Sequence, residues 1–397
     1  MLKHRCGCGE LLGGHTLSAR PSLTSQGGQA QPPESEEHWS ISRHTDVSPT
    51  NAFGTIEFQG TSHPLKAQYV RLVSDSRPEH VLQLLTREWQ LELPKLLITV
   101  HGGKANFHLQ AKLKKVLCRG LVRAAKTTGA WIFTGGTNTG VTRHVGEALL
   151  TERTPQLRGR VVAIGIAPWG IIENRKDLIG AKRVVQYYSI SSPKSRFAVL
   201  NQHHSYFVLA DNGTTGKYGA EIGLRKRLEK HISRQRFYHR SSVQWCGIPV
   251  VCVIVEGGLN TVRTVLEYVT DLPPVPVVVC DGSGRAADLI AFAHRYIPDD
   301  EYVQRAALRN AAVSFAAETV SKLPEGFREQ LITTIQRTFQ IQQEQAEQVY
   351  VELLQSIKKK DLITVFRMGE GPCKELDQAV LSALLKGKQT ISDFLKC

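Results

Sequence analysis

The chain has 397 residues, 41% of them hydrophobic, which is enough for a sizeable folded core in two or three domains. No run of eighteen apolar residues occurs and the N-terminus lacks an apolar signal core, so the sequence predicts a cytoplasmic protein without a membrane span. The formal charge of +14 favours acidic partners such as nucleotides, nucleic acid or an anionic membrane surface, without choosing among them.

The first fifty residues predict a tail without a core of its own. Residues 9–50 are rich in Ser, Gly, Gln, Pro and Thr, so we expect 1–50 to be mostly disordered. Cys6 and Cys8 lie in this tail, but no second Cys/His pair at zinc-finger spacing accompanies them. We therefore predict no metal site, and reduced thiols for all eight cysteines.

Six apolar runs follow between residues 51 and 300, and each ends in glycine. They are "LLITVHGG", "WIFTGG", "VVAIGIAPWG", "YFVLADNGTTG", "VVCVIVEGG" and "VPVVVCDGSG". Runs that stay apolar without alternation are typical of strands covered on both faces. Helical patterns separate most of them, so the sequence predicts an α/β fold with a Rossmann-like, doubly wound parallel sheet. Ligands bind such sheets at the carboxyl ends of the strands, where these glycines lie.

The last hundred residues change character. Over 301–397 the apolar residues recur at helical spacing, which predicts a separate α-helical region. The run "KKKD" at 358–361 is interpreted as a solvated helix end rather than a binding site, because lysines at a helix C-terminus suit the helix dipole.

The glycine loop "GGTNTG" at 135–140 is the first candidate phosphate site. It follows a strand and precedes a helix, where backbone N–H groups can bind an anion. Gly135, Gly136 and Gly140 would let backbone approach a ligand, and the side chains of Thr137, Asn138 and Thr139 would add polar contacts. The loop is neither a dinucleotide fingerprint nor a P-loop, so a strand-to-helix turn capped by Thr139 is the alternative.

Two further loops repeat the arrangement. "VEGGLNT" at 255–261 contributes Gly257 and Gly258, and "DGSGR" at 281–285 contributes Gly282, Ser283, Gly284 and Arg285. The three loops together predict one nucleotide crevice. Arg285 would pair with a phosphate, or else be a surface arginine at a helix start whose unfavourable charge needs compensation.

Between these loops, "DNGTTGKYGAEIGLRKRLEKHIS" adds two more candidates. Tyr218 is predicted to stack on a base and Arg225 to contact the same ligand, the alternative being that Arg225 lies on the wet face of an amphipathic helix. Asp211 and Asp281 end their strands and would either hold ribose hydroxyls or cap the following turn. His203 and His204 are given no catalytic role, and no catalytic residue is assigned.

Eight blocks of the sequence carry a family resemblance. "AFGTIEFQG", "EWQLELPKLLITVHGG", "TTGAWIFTGGTNTGVTRHVGEAL", "IGIAPWGIIEN", "LADNGTTGKYGAE", "IVEGG", "VVVCDGSGRAADLIAF" and "KKKDLITVFRMG" resemble the N-terminal cytosolic homology region of melastatin-type transient receptor potential cation channels, over roughly residues 51–385. The likeness is greatest to the founding melastatin branch.

The resemblance implies a regulatory and assembly role. It implies part of a subunit of a tetrameric, calcium-permeable, non-selective cation channel, with full-length subunits as partners and the helical region as the start of the channel's helical repeats. The longer relative would lie in the plasma membrane with this region cytosolic and the pore outside this chain. It also implies an adenine nucleotide or ADP-ribose-like ligand at 135–140, Tyr218, Arg225 and Arg285. No cofactor is fixed by the sequence itself.

The same region is similar to a wider superfamily of lysine decarboxylase-like nucleotide hydrolases. Its signature is a double glycine followed by G-T-x-x-E, and this chain has Asn260 in place of the glycine and Thr264 in place of the glutamate. Because the carboxylate needed for general acid/base chemistry is missing, no enzymatic activity is expected. A stand-alone soluble nucleotide-binding or nucleotide-hydrolysing protein is the alternative, and nucleic-acid binding is not predicted.

Overall fold

A computed structural model gives the fold of most of the chain. It describes residues 50–60, 65–151, 161–190, 195–235, 247–296, 326–369 and 375–394. The predicted disordered tail, together with Cys6 and Cys8, lies outside the described residues apart from Thr50. Two compact units are present: unit 1 is Met1–Leu97 with Ala125–Pro249, and unit 2 is Ile98–Ala124 with Val250–Cys397.

The described residues of unit 1 form six strands: β1 Ala52–Gln59, β2 Leu65–Val73, β4 Trp131–Thr134, β5 Val162–Pro168, β6 Gly180–Tyr188 and β7 Tyr206–Asp211. Their spatial order is β4-β5-β7-β2-β1-β6. Its helices are α1 Pro78–Gln83, α3 Gly140–Thr151 and α4 Ala220–Ser233. Neighbouring strands in this order are parallel, except for β1 and β2, which form an antiparallel hairpin.

The described residues of unit 2 form four strands: β3 Leu97–Gly102, whose first residue belongs to unit 1, β8 Val250–Val255, β9 Val277–Cys280 and β10 Ile363–Phe366. Their spatial order is β10-β9-β8-β3. The helices are α2 Ala111–Thr128, which runs on into unit 1, α5 Leu259–Thr270, α6 Arg285–Tyr296, α7 Phe327–Phe339, α8 Gln343–Ile357 and α9 Leu376–Phe394. The pairs β10–β9 and β9–β8 are parallel.

The strand cores explain why the apolar runs fold this way. Every residue of β4, β8 and β9 is buried, as strands covered on both faces require. In unit 2, β8, β9 and β10 pack with α5, α6, α7 and α8 in one hydrophobic cluster. In unit 1 a second cluster forms around β1, β6 and β7, with Phe58 edge-on to Tyr187 at 5.8 Å.

These elements confirm the predicted fold class. All six predicted strands and the helices that follow them are present, and the sheet is mostly parallel. The sequence did not predict β10, because "ITVF" is a four-residue run inside what was interpreted as a helical region. The interpretation of "KKKD" is confirmed, since Lys358 and Lys359 are exposed directly after α8 ends.

Candidate functional site

The predicted loop 135–140 connects β4 to α3 in unit 1 and is held by the segment before β7. The Asn138 N–H donates to the Val199 carbonyl at 2.7 Å, and the Asn201 N–H donates to the Gly136 carbonyl at 2.9 Å. The Asn201 side chain also donates to Asn138 Oδ1 at 3.0 Å. The loop is therefore held at Gly136 and Asn138 by Val199 and Asn201, and the sequence did not indicate this role for Asn201.

The two glycines that open this loop differ in what the fold requires. Gly136 has φ of +71°, and a Cβ there would lie 3.1 Å from the Cα of Gly165 on β5. At Gly135 φ lies outside the left-handed region, and an added Cβ would meet only Thr142 Oγ1 at 3.5 Å, an ordinary contact. The fold thus explains a glycine at 136 by close backbone packing and does not explain one at 135.

A chain of buried side chains supports the same loop. The Gly136 N–H donates to Thr134 Oγ1 at 3.0 Å, and Thr134 Oγ1 lies 2.8 Å from His204 Nε2. His204 Nδ1 lies 3.2 Å from Asn201 Oδ1. Burial lowers the pKa of His204 to about 3, with a smaller contribution from the charge of His203, so the imidazole is neutral at physiological pH. His204 therefore positions the loop and does not act as a charged group.

Tyr218 lies in unit 1 next to the 135–140 loop. The Tyr218 side chain hydrogen-bonds that of Thr139, and burial raises the tyrosine pKa while this bond lowers it. Thr139 Oγ1 in turn lies 3.0 Å from Thr137 Oγ1. Tyr218 is 42% exposed, so the residue is partly accessible to solvent.

Arg225 is buried at 6% exposure, so the interpretation of this residue as part of a wet helix face is wrong. Its guanidinium donates to Glu229 at 3.0 Å and to the Phe133 carbonyl at 3.1 Å. Glu229 is four residues further along α4, and both side chains are buried. A ligand contact by Arg225 stays a prediction, and within the fold its guanidinium ties α4 to the end of β4.

Asp211 and Asp281 both cap the turns that follow their strands. Asp211 accepts the Gly213 N–H at 2.8 Å, and Asp281 accepts the Gly282 N–H at 3.1 Å. Each carboxylate is also paired with an arginine of its own unit. These pairs are Arg71 to Asp211 at 2.6 Å, fully buried, and Arg367 to Asp281 at 2.5 Å. Of the two roles considered for these residues, the turn-capping role is the one that the contacts describe.

In unit 2, the loop after β8 contains a buried carboxylate that the sequence analysis missed. Gly257, with φ of +105°, donates its N–H to Glu256 Oε2 at 2.7 Å, and the Gly258 N–H donates to Thr261 Oγ1 at 3.1 Å. Glu256 is 6% exposed and packs directly on the backbone of Gly103. The sequence signal that could have revealed this carboxylate is its position, because Glu256 is a charged residue directly after a strand made only of apolar residues.

The loop after β9 is filled in a similar way by Asp288 of α6. The N–H groups of Gly282 and Gly284 donate to Asp288 Oδ1 at 2.8 and 3.0 Å. Burial raises the pKa of Asp288, and these backbone donors oppose that rise. A concave pair of amides of this kind binds anions, and here the anion is a side chain of the protein.

Ser283 and Arg285 link the two loops of unit 2. Ser283 Oγ accepts the Glu256 N–H at 2.9 Å and donates to the Cys280 carbonyl at 2.5 Å. Arg285 Nη1 lies 3.4 Å from Glu256 Oε1, and the guanidinium carbon lies 5.6 Å from the centre of the Phe339 ring. Glu256 thus supplies the compensation that an arginine at the start of α6 needs.

The predicted site residues accordingly fall into two groups. Unit 1 holds the 135–140 loop, Tyr218 and Arg225, and unit 2 holds the two loops with Gly257, Gly258 and 282–285. Each group is assembled within its own unit by the contacts above. A single crevice formed by all three loops stays a prediction. Among the described residues no group of three His, Cys, Asp or Glu side chains could hold a metal ion, and Cys118, Cys252 and Cys280 are free thiols.

The chain is similar in sequence to one family of known proteins. Residues 67–320 match the family described as "SLOG in TRPM". The chain is 58% identical over 356 residues to the Drosophila melanogaster "Transient receptor potential cation channel trpm", a stretch covering 88% of this chain and 16% of the relative. It is 47% identical to mouse "Transient receptor potential cation channel subfamily M member 1", over 97% of this chain and 22% of the relative.

Human subfamily M member 7 is 46% identical over 96% of this chain and 19% of its own length. The chain therefore spans between about a sixth and about a fifth of the length of these relatives. In the part of the chain that the structure describes, no helix has both the length and the apolar character needed to cross a membrane.

Proposed function

This chain belongs to the SLOG family of TRPM channels, and we propose that it is the cytosolic regulatory and assembly region of a calcium-permeable, non-selective cation channel subunit. The observation that carries the proposal is the family match over residues 67–320 together with 58% identity to a channel over most of the chain. Under this proposal the partners are other subunits of a tetrameric channel.

The assembly role is tested by co-expressing the tagged chain with the full-length Drosophila relative. We expect the two to co-purify in detergent and the whole-cell cation current to change in size or gating. The control is Leu228→Asp, which places a carboxylate at a fully buried position of α4 and should abolish folding and both effects. Recovery of the folded parent chain alone, with an unchanged current, would contradict the proposal.

For the nucleotide, the 135–140 loop with Tyr218 is the better supported contact. Gly135 is not required by packing, which suits a position where a ligand approaches the backbone. Three hydroxyls, those of Thr137, Thr139 and Tyr218, lie in one hydrogen-bonded cluster beside it. We propose an adenine nucleotide or ADP-ribose-like ligand whose phosphate lies at this loop and whose base lies on Tyr218.

The loops of unit 2 support a phosphate less well. A phosphate at Gly282 and Gly284 would have to displace the Asp288 carboxylate, and one at Gly257 would meet Glu256. Two negative charges at such distances repel each other. Contacts from Gly257, Gly258, Gly282, Ser283, Gly284 and Arg285 therefore enter the proposal only as a secondary part of the site.

Calorimetry with ADP-ribose and AMP on the full chain tests this assignment. Gly135→Ala should fold normally and lower nucleotide affinity by at least about tenfold, the loss of about 1.4 kcal/mol of binding free energy. Gly258→Ala is the matched control, because its Cβ would meet only Arg285 Nη2 at 3.8 Å. A larger loss with Gly258→Ala would move the site to unit 2, and no heat of binding to the parent chain would remove the nucleotide from the proposal.

Enzymatic turnover is not part of the proposed function. At the position of the superfamily glutamate, Thr264 Oγ1 donates to the Asn260 carbonyl of its own helix at 2.8 Å. A hydroxyl held in this way is a poor general acid or base. Chromatography of AMP and ADP-ribose after long incubation with the chain should show intact substrate, and hydrolysis would favour the alternative of a soluble nucleotide-processing enzyme.

A further inference from the structure

Arg175 lies in the segment that follows β5, next to both parts of the site proposed for unit 1. In the spatial order, β5 lies between β4, which leads into the 135–140 loop, and β7, which leads to Tyr218. The Gly216 N–H, two residues before Tyr218, donates to the Gly170 carbonyl of the segment after β5 at 2.9 Å. Because neighbouring strands lie about 4.8 Å apart, a ligand that reaches from the loop to Tyr218 lies beside this segment.

Three neutral contacts hold the Arg175 side chain. Its Nη1 donates to the Gly170 carbonyl and its Nη2 to Thr215 Oγ1, both at 3.3 Å, and its Cζ lies 5.3 Å from the centre of the Phe197 ring. Thr215 belongs to the loop after β7, and Phe197 belongs to the segment before β7 that holds the 135–140 loop. The guanidinium is therefore fixed close to both parts of the proposed site.

The positive charge of Arg175 has no carboxylate partner in the part of the chain that the structure describes. Glu173, two residues before it, accepts a hydrogen bond from the Ser195 hydroxyl instead. A guanidinium has five N–H donors, more than these neutral contacts use, and its fork matches phosphate oxygens bidentately. Arg175 therefore retains both donors and charge for an anionic ligand. The arginines described above are instead paired with carboxylates: Arg71 with Asp211, Arg225 with Glu229 and Arg285 with Glu256.

We propose that Arg175 binds a second phosphate of the nucleotide, which makes the site of unit 1 selective for ADP or ADP-ribose over AMP. This inference rests on the nucleotide site proposed above, where the first phosphate meets the 135–140 loop, whose side chains carry no formal charge. A second phosphate adds negative charge, and a charge-assisted bond to a guanidinium is about twice as strong as a neutral one. AMP has no phosphate to place at Arg175, so its affinity should depend on the loop alone.

Calorimetry of the full chain with AMP, ADP and ADP-ribose tests the assignment. The parent chain should bind ADP and ADP-ribose at least about tenfold more tightly than AMP. Arg175→Met should remove that preference and leave the AMP affinity unchanged. Lys176→Met is the matched control, because it removes an equal charge from the neighbouring exposed residue and should keep the preference. Arg175→Lys keeps the charge but loses the bidentate geometry, so its preference should be intermediate.

Failure of this inference is distinguishable from failure of the nucleotide site itself. Equal parent affinities for AMP and ADP, both lowered by Gly135→Ala, would overturn the role of Arg175 and leave the site in place. No heat of binding with any of the three nucleotides would overturn both.

Two further results would overturn the role of Arg175. One is an equal loss of AMP and ADP affinity in Arg175→Met, which would indicate a structural role. The other is a lost preference in Lys176→Met, which would indicate general attraction by charge. Urea unfolding checks that each variant folds. If Arg175→Met does not fold, Arg175→Lys decides the question, and a preference equal to that of the parent would overturn the proposal.

Discussion

The glycines at 135 and 136 should respond differently to alanine. Gly136 lies at φ of +71° with its backbone against Gly165, where an added Cβ would come within 3.1 Å of Cα. The left-handed conformation costs an L residue about 1–2 kcal/mol, and relieving the close contact adds about 1 kcal/mol. We expect Gly136→Ala to lower the free energy of unfolding by about 2–3 kcal/mol.

Gly135 has neither constraint, and its replacement reduces the freedom of the unfolded chain. Gly135→Ala should therefore change the free energy of unfolding by less than about 0.5 kcal/mol, or stabilise by up to about 1 kcal/mol. Urea unfolding followed by circular dichroism measures both variants, provided that the slopes stay equal to that of the parent. Equal destabilisation by the two substitutions would refute the reasoning, because it would mean that packing requires both glycines.

Three further predictions concern buried polar groups. The folded pKa of His204 is about 3 and the unfolded value about 6.5, so its protonation favours the unfolded chain and should lower the free energy of unfolding by about 2 kcal/mol from pH 7.5 to pH 5. Urea titrations at both pH values should show that His204→Gln removes this part of the pH dependence. Arg71→Met should lower the free energy of unfolding by about 3–5 kcal/mol, because it leaves Asp211 buried without its guanidinium partner. The double variant Arg71→Met with Asp211→Leu should recover most of this loss in the same urea titration. Asp288→Ala should cost about 1 kcal/mol, because the Gly284 amide loses its acceptor while the Gly282 amide keeps Asp281. A thermal melt should show Asp288→Asn, which keeps an acceptor, to be milder.

The sequence was sufficient for the central strands because burial on both faces demands continuous apolar runs. Every residue of β8 and β9 is apolar and buried, and each strand is followed by one acidic residue and then a glycine. Strands at the margins carry a weaker signal. β6 mixes Lys182 and Arg183 with valines, and β10 has only four residues, so neither stands out from its neighbours.

The candidate site was predicted as loops but not as contacts. Asn201 and Asn138 are 63 residues apart, and only the fold brings their side chains to 3.0 Å. Glu256 and Asp288 were visible as charged residues near glycines, yet spacing cannot say whether a carboxylate turns toward its own loop or toward solvent. The acceptors of the glycine amides, which decide whether a loop is open to an anion, are therefore a property of the folded chain.

This distinction separates the three loops that look alike in sequence. The acceptors of the Gly257, Gly282 and Gly284 amides are carboxylate oxygens of the chain. In the 135–140 loop the Gly136 N–H donates to a hydroxyl and the Asn138 N–H donates to a carbonyl, and both acceptors are neutral. A phosphate entering this loop adds charge without opposing a carboxylate at those amides, whereas at the other two it competes with one. Substitutions in the 135–140 loop should consequently change nucleotide affinity more than substitutions in the loops of unit 2. Inorganic phosphate should bind unit 2 only when the Asp288 carboxylate has been removed.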